Sequence, residues 1–513
     1  MSPFEDSMTA NTDAKQPVMD RALMVVAAVV VLGAIMSILD TTVVNVALNT
    51  LARHFHTKLA TVQWVATGYT LALATVIPLT GWAADRFGTK RLYLATIALF
   101  VTGSALAGLA WSSETIILFR VLQGLGGGML MPVGMTILTR AAGPQRVGRV
   151  MGVIGVPMLI GPILGPILGG WLVQDLSWRW IFFINLPIGI AAFITSTRVL
   201  PRDAGQPGVK LDWVGLATLS PSLALIIYGL AESSSHGGFG HAQVLVPIAI
   251  GAVLFVAFIA GALKRPAIAL IDLRLFKNKV YSGAMATMFL MIIAVFGAML
   301  LIPLYLQSVR GESALTTGLL LAPQGLGAMI SMPIGGRLTD RIGIGRFVPA
   351  GLALVALTFI PLTQIGAHTS YVLLGIDLFF MGLGIGLAMM PTFSGAIQTL
   401  RRADIARASS ALNINQQVGA SFGTAILSVL LASRLIDHLG HGPGSGIGGT
   451  LPAAVRATVA PKMAEAYSAV FVVALVLVII STLVAALLLP KHKPEPVEDP
   501  DAAAVEAPPA VLV

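Results

Sequence analysis

Apolar runs of about 20 residues recur from one end of this chain to the other, and about 20 helical residues cross the hydrocarbon core of a bilayer. Of the 513 residues, 56% are hydrophobic and 11% charged, which is more apolar surface than a soluble core of this size hides. The solvent for most of the chain is therefore lipid, and the fold class is all-α integral membrane. The pattern predicts fourteen transmembrane helices, at 22–46, 60–82, 91–111, 115–138, 150–173, 180–200, 213–231, 243–263, 280–307, 315–338, 347–366, 371–397, 409–433 and 467–489. The 54 glycines suit helix packing in lipid, where small residues permit close approach. The chain has no cysteine, which excludes disulfide and thiol chemistry.

Charge orients the spans. With the N-terminus in the cytoplasm, the inner segments hold 24 Lys and Arg and the outer loops seven: Arg53, Lys58, Arg179, Arg310, Arg434, Arg456 and Lys462. This is the positive-inside pattern, with both termini cytoplasmic. It accounts for the net charge of +9 without a nucleic-acid partner. The first 20 residues are polar and mixed in charge, so no cleaved signal peptide is expected.

A repeat organises the spans. Gly81-Trp-Ala-Ala-Asp85-Arg86-Phe-Gly88 follows span 2, and Gly336-Arg-Leu-Thr-Asp340-Arg341-Ile-Gly343 follows span 10, 255 residues later. Gly124, Gly126 and Pro132 in span 4 match Gly382, Gly384 and Pro391 in span 12, and Gly161-x-x-x-Gly165 in span 5 matches Gly419-x-x-x-Gly423 in span 13. Spans 7 and 8 have no counterpart. The expected organisation is a cytoplasmic N-tail (1–21), a six-helix bundle (22–200), a linker carrying two inserted helices (201–279), a second six-helix bundle (280–489) and a disordered cytoplasmic tail (490–513). Paired halves around a central site are a transporter plan.

These motifs resemble the major facilitator superfamily, in its fourteen-spanner drug:proton antiporter branch (EmrB/QacA type). Leu39-Asp40-Thr41-Thr42-Val43-Val44-Asn45 is similar to that branch's first-helix motif, although Asn49 stands where the family usually has Pro. Gly81 to Arg91 resembles the superfamily's loop 2–3 motif, and Arg120-Val-Leu-Gln123-Gly124 its fourth-helix motif. Gly161-x-x-x-Gly165-Pro166-x-x-Gly169-Gly170 resembles the antiporter motif, and Trp178 to Gly189 the entry to helix 6. The resemblance covers nearly the whole chain. It implies two six-helix bundles plus two central helices, and a proton-coupled multidrug efflux antiporter exporting amphipathic, often cationic compounds by alternating access.

Three ionisable residues lie deep in spans: Asp40, Arg120 and Asp377. Charge in the membrane interior is costly, so each is a functional candidate. Counted at 1.5 Å per residue, all three lie roughly 8–10 Å below the outer boundary. An Asp40–Arg120 contact would alternately lower and, when broken, raise the proton affinity of the carboxylate. Arg120 stays charged at working pH and tunes the site. The plain alternative is a static ion pair. Asp377 has no evident cationic partner; it is a candidate second proton site or contact for a cationic substrate, or a neutral structural acid.

Gating is expected of Asp85, Arg86, Asp340 and Arg341 at the inner span ends, as a latch that the resemblance implies closes when the protein opens outward. Gly161, Gly165, Pro166 and Gly169 would give a kinked, tightly packed fifth helix. Gln123, Asn413, Gln416, Phe289 and Tyr305 join Asp377 as expected substrate contacts.

No Gly-x-x-x-x-Gly-Lys-Ser/Thr or His-Glu-x-x-His pattern occurs, so ATP hydrolysis and a zinc site of that kind are excluded. The expectation is no enzyme, metal or cofactor, with a proton gradient as the energy source. The partners are small molecules, protons and the lipid bilayer of a bacterial cytoplasmic membrane. A monomer is expected, because two halves already wall the cavity; an envelope adaptor protein stays open. Alternative readings are export of a lipid, siderophore or self-made antibiotic on the same fold, and a non-transporting scaffold or sensor.

Overall fold

The computed structural model describes residues 21–142, 146–147, 150, 161, 164–165, 167–201, 203–235, 238–266, 268–401, 404–440 and 452–491. Among them every regular element is helical. The first half contains α1 (Arg21–His54), α2 (Leu59–Val76), α3 (Leu79–Phe87), α4 (Thr89–Gly108), α5 (Ser113–Ala142), α6 (Trp180–Phe183) and α7 (Asn185–Val199). The inserted pair is α8 (Trp213–Ser235) and α9 (Ala242–Lys264). The second half contains α10 (Lys279–Ser308), α11 (Ala314–Ile342), α12 (Phe347–Leu362), α13 (Tyr371–Gln398), α14 (Ile405–Leu439) and α15 (Ala453–Leu488).

Eleven of the described helices are long and apolar enough to cross a membrane, or twelve with α2 and α3 taken as one bent span. The expected fourteen exceed that by two. One is α12, whose 16 residues fall short of a full crossing. The other is 150–173, most of which lies outside the described residues. The expected span 60–82 is broken by 57°. Pro78 stands at the break, where a ring without an N–H cannot continue the helical ladder.

The repeat has a conformational cause. Gly88 ends α3 with φ 84°, and Gly343 ends α11 with φ 80°. Both copies of the charged turn therefore stop a helix in the region that glycine alone enters without strain. The span glycines repeat too. A Cβ on Gly124 would sit 2.6 Å from the Tyr69 carbonyl oxygen of α2, and one on Gly126 the same distance from the Phe100 nitrogen of α4. In the second half Gly382 meets Gln324 of α11 and Gly384 meets Gly351 and Val355 of α12. One glycine-rich helix is thus gripped from two sides in each half, as close helix packing in lipid requires. This places Gly124-Leu-Gly126 in a packing face.

The helices α8 and α9 pack on one another, and α8 also touches α2 of the first half and α14 of the second. Ser220 donates to the Thr75 carbonyl at 2.6 Å, and Trp64 stacks on Tyr228. The inserted pair therefore lies across the seam between the halves. The halves also meet directly, where α14 packs on α3 and α5.

Candidate functional site

A carboxylate inside lipid needs compensation from every side, and Asp40 on α1 has it. Its Oδ2 accepts from Arg120 Nη1 of α5. Its Oδ1 accepts from Gln123 Nε2 at 2.8 Å and from Asn185 Nδ2 at 3.0 Å. Arg120 in turn donates from Nη1 to Gln123 Oε1 at 2.9 Å and from Nε to the Val65 carbonyl at 3.0 Å. Its guanidinium lies 3.9 Å from the centre of the Tyr69 ring, a cation–π contact. Asn185 Nδ2 also donates to Ser104 Oγ at 3.1 Å, and Ser104 donates to the Phe182 carbonyl. Asp40 and Arg120 are each 1% exposed, and Gln123 and Asn185 fully buried. One atom breaks the symmetry of this network: Asn185 Oδ1 is buried without a hydrogen-bond partner among the described residues.

Four helices, α1, α2, α5 and α7, thus converge on one ion pair. The first two residues were legible as lone charges in apolar runs. Gln123 was expected to face a substrate, and instead it bridges Asp40 and Arg120 with no exposed surface. Asn185 and Ser104 were not anticipated. Asn185 lies within the Trp178–Gly189 motif, but a neutral amide carries no charge signal of its own.

The fifth-span glycines lie next to this site. Gly161, Gly165 and Gly169 face Ile38, Thr42 and Val43 of α1, and Thr42 donates to the Gly161 carbonyl at 3.3 Å. A larger side chain at any of them would push on the helix that carries Asp40. Pro166 lies outside the described residues.

Asp377 does not join the pair. It is half-buried on α13 between the exposed Ile376 and Phe380, and its Oδ2 is buried with no hydrogen-bond partner among the described residues. Its neighbour Gly375 faces Pro323 of α11. Tyr305 departs from its expected place. It is 1% exposed inside the second half, donates to the Gly366 carbonyl at 2.6 Å and packs its ring on Tyr467. The phenol has its acceptor within the packed core and offers no surface to a cargo. Phe289 packs on Phe422 and lines a cavity between α10, α14 and the inserted pair. Asn413 and Gln416 are half-buried on α14, and Asn413 donates to the Ser409 carbonyl.

At the span ends expected to be cytoplasmic, Asp85 of α3 lies 3.4 Å from Arg140 of α5 and 3.9 Å from Arg407, in the first turn of α14. A carboxylate at a helix start also meets the positive end of that helix. A Cβ on Gly81 would sit 3.2 Å from Arg407 Cα, so the two halves touch through backbone. The side chains of Asp340 and Arg341 lie outside the described residues. The Arg86 carbonyl abuts Gly205 of the linker, and the Asp85 carbonyl accepts from the Gln206 amide at 2.8 Å. Asp203 in that linker caps the start of α4, accepting from the Thr89 and Lys90 amides at 2.6 and 3.1 Å and from the Thr89 hydroxyl. Partial burial raises the pKa of Asp203, but these hydrogen bonds outweigh it and hold the carboxyl below the usual value.

The Major Facilitator Superfamily model matches residues 30–424, which is most of the chain. The chain belongs to the Major Facilitator Superfamily. Membership makes it a transporter and not an enzyme. A "Multidrug resistance protein B homolog" of Mycobacterium tuberculosis strain H37Rv is 46% identical over 417 residues, 80% of this chain and 77% of that protein. "Multidrug export protein EmrB" of Haemophilus influenzae is 30% identical over 426 residues, 82% of this chain and 83% of that protein. The human organic anion transporter MFSD10 (TETRAN) superposes with a TM-score of 0.57 at 15% identity, covering 89% of this chain and 99% of that one. At that identity the likeness concerns the fold alone.

Proposed function

We propose that this protein is a proton-coupled multidrug efflux antiporter that exports amphipathic compounds across a bacterial cytoplasmic membrane by alternating access. The observation that carries the reading is the Asp40–Arg120 pair, which is 1% exposed on each side and linked to a buried oxygen with no hydrogen-bond partner among the described residues. A buried ion pair is a poor source of stability. Its retention in lipid is better explained by work than by packing. The names of the relatives at 46% and 30% identity support the cargo class.

The mechanism follows from hydrogen-bond inventory. Ionised Asp40 only accepts, and all its donors are in place. A proton on Asp40 turns one oxygen into a donor and removes its attraction for Arg120. The amide of Asn185 then rotates, and its unpaired Oδ1 becomes the acceptor that the new O–H requires. With the pair weakened, α1 is free to move relative to α5. Arg120 keeps its charge and its contacts to the Val65 carbonyl and the Tyr69 ring, so it waits for the carboxylate to ionise again. In this reading the contacts at the cytoplasmic ends, among them Asp85–Arg407, hold the inner side closed, so the outer side is the one that opens. Protons enter there, and release on the inner side resets the cycle. Cargo and proton act by biasing one equilibrium between the two orientations.

Inverted membrane vesicles test this. With an imposed pH gradient, wild type accumulates ethidium, and an uncoupler discharges it. Asp40→Asn and Arg120→Ala both abolish the accumulation. Full accumulation in both variants removes the pair from the mechanism, and accumulation that ignores the uncoupler removes the proton.

A further inference from the structure

The inserted helices enclose a cavity of about 750 Å³ together with α10 and α14. Its wall holds five phenylalanines: Phe255 and Phe258 of α9, Phe276 of the linker, Phe289 of α10 and Phe422 of α14. Among the described residues, Ser282 and Asn415 are the only polar ones lining it. Both have committed donors, Ser282 to the Phe276 carbonyl and Asn415 to the Met285 carbonyl. No charged residue among the described ones lines it. The wall therefore meets its occupant mainly through apolar contact. Most of the lining residues fall in the cytoplasmic halves of their helices on the charge-derived topology, with Leu223, Ile226 and Phe422 near mid-span, so the cavity reaches from the inner leaflet to the middle of the membrane. Phe255 and Phe276 are 38% and 41% exposed, which opens it sideways toward lipid.

The loop next to the cavity in the chain carries the opposite chemistry. The loop that joins α9 to α10 contributes Lys264, Arg265, Arg274, Lys277 and Lys279, five basic residues where every other inner segment has two or three. Arg274 is taken by Asp272 at 2.7 Å. Lys264, Arg265, Lys277 and Lys279 are exposed and have no ion-pair partner among the described residues. They flank the lining residues Phe258, Ile259, Phe276 and Ser282 in the chain. An uncharged pocket next to a basic loop at the cytoplasmic interface suits an amphiphile whose head is anionic. A cationic drug would be repelled at that loop.

We infer that the inserted helices form a binding site for an anionic phospholipid of the inner leaflet, with its acyl chain between α8, α9, α10 and α14 and its phosphate on Lys264, Arg265, Lys277 and Lys279. The lipid completes the packing of a helix pair that touches the rest of the protein along narrow strips of α2 and α14. This site is separate from the Asp40–Arg120 network and does not rest on the efflux reading.

Native mass spectrometry of the purified full-length protein tests the site, with dioleoylphosphatidylglycerol and dioleoylphosphatidylcholine as probes. Wild type retains the anionic lipid roughly tenfold more strongly than the neutral one. Replacing the four basic loop residues by glutamine removes that preference. Ala286→Trp and, independently, Val418→Phe fill the cavity and lower retention of both lipids at unchanged melting temperature. Lys491→Gln, outside the loop, changes nothing. Glycerol 3-phosphate does not compete, because it lacks the chain. Equal retention of the two lipids by wild type overturns the inference. So does a preference that survives in the loop and cavity variants. Displacement of the anionic lipid by glycerol 3-phosphate reduces the site to a phosphate contact, and displacement by tetraphenylphosphonium makes it a drug pocket; either result also overturns it.

Discussion

Asp40 and Arg120 neutralise one another, so the cost of changing them depends on which is changed. Asp40→Asn leaves a guanidinium buried without its counter-charge, and loss of one partner of such a pair costs about 3–5 kcal/mol. The double variant Asp40→Leu/Arg120→Met replaces charge by apolar volume, and its thermal stability in detergent is expected to stay near wild type. It is nevertheless expected to transport only downhill. Recovery of stability without recovery of coupling separates a working pair from a static brace. Asp203 behaves differently, because its site is aqueous. Its carboxyl titrates below the usual value when folded, held there by hydrogen bonds from the start of α4. Its stabilisation is thus present above the unfolded pKa of about 3.9 and drains away as pH falls through the lower folded value. Melting curves from pH 7 to pH 3 should show a smaller acid-induced loss in Asp203→Asn than in wild type. The charged residues of this site were legible because charge stands out in an apolar run. Asn185, Ser104 and the packed position of Tyr305 were not, since neutral polar side chains have the same sequence signature in a network, a core or a cavity wall.

At the scale of elements, the contact of α3 with α14 depends on having no side chain at Gly81. The chain contains no cysteine, so a single pair can be introduced without background. Gly81→Cys/Arg407→Cys is expected to crosslink under mild oxidation and to stop transport, with recovery on reduction. Unchanged transport by the crosslinked protein would mean that the inner ends do not separate during the cycle. The fifth-span glycines make a parallel case: Gly165→Leu would drive a side chain into Thr42 and displace α1, lowering transport more than expression. The sequence made these glycines visible through their spacing and their repetition. It did not show the 57° break at Pro78 within span 2, because apolar periodicity continues across a bend. Nor did it show where the inserted pair sits, because chain order does not say which seam α8 and α9 cover.

At the scale of the molecule, the twofold plan was the most legible feature, because both copies of the charged turn obey the same backbone requirement at Gly88 and Gly343. The asymmetry between the halves matters more for function. The first half buries an ion pair, whereas Asp377 in the second half stands apart from it with a carboxyl oxygen that has no hydrogen-bond partner among the described residues. On the proposed mechanism the first half binds and releases the proton, and the packing of α14 on α3 and α5 is where the two halves meet. The central claim is that cargo binding and the protonation of Asp40 compete. It is tested most directly by adding tetraphenylphosphonium to purified, lightly buffered protein and reading proton release with a pH indicator. Wild type should release protons on binding, and Asp40→Asn should bind the cation and release none. Equal release from both proteins would contradict the account.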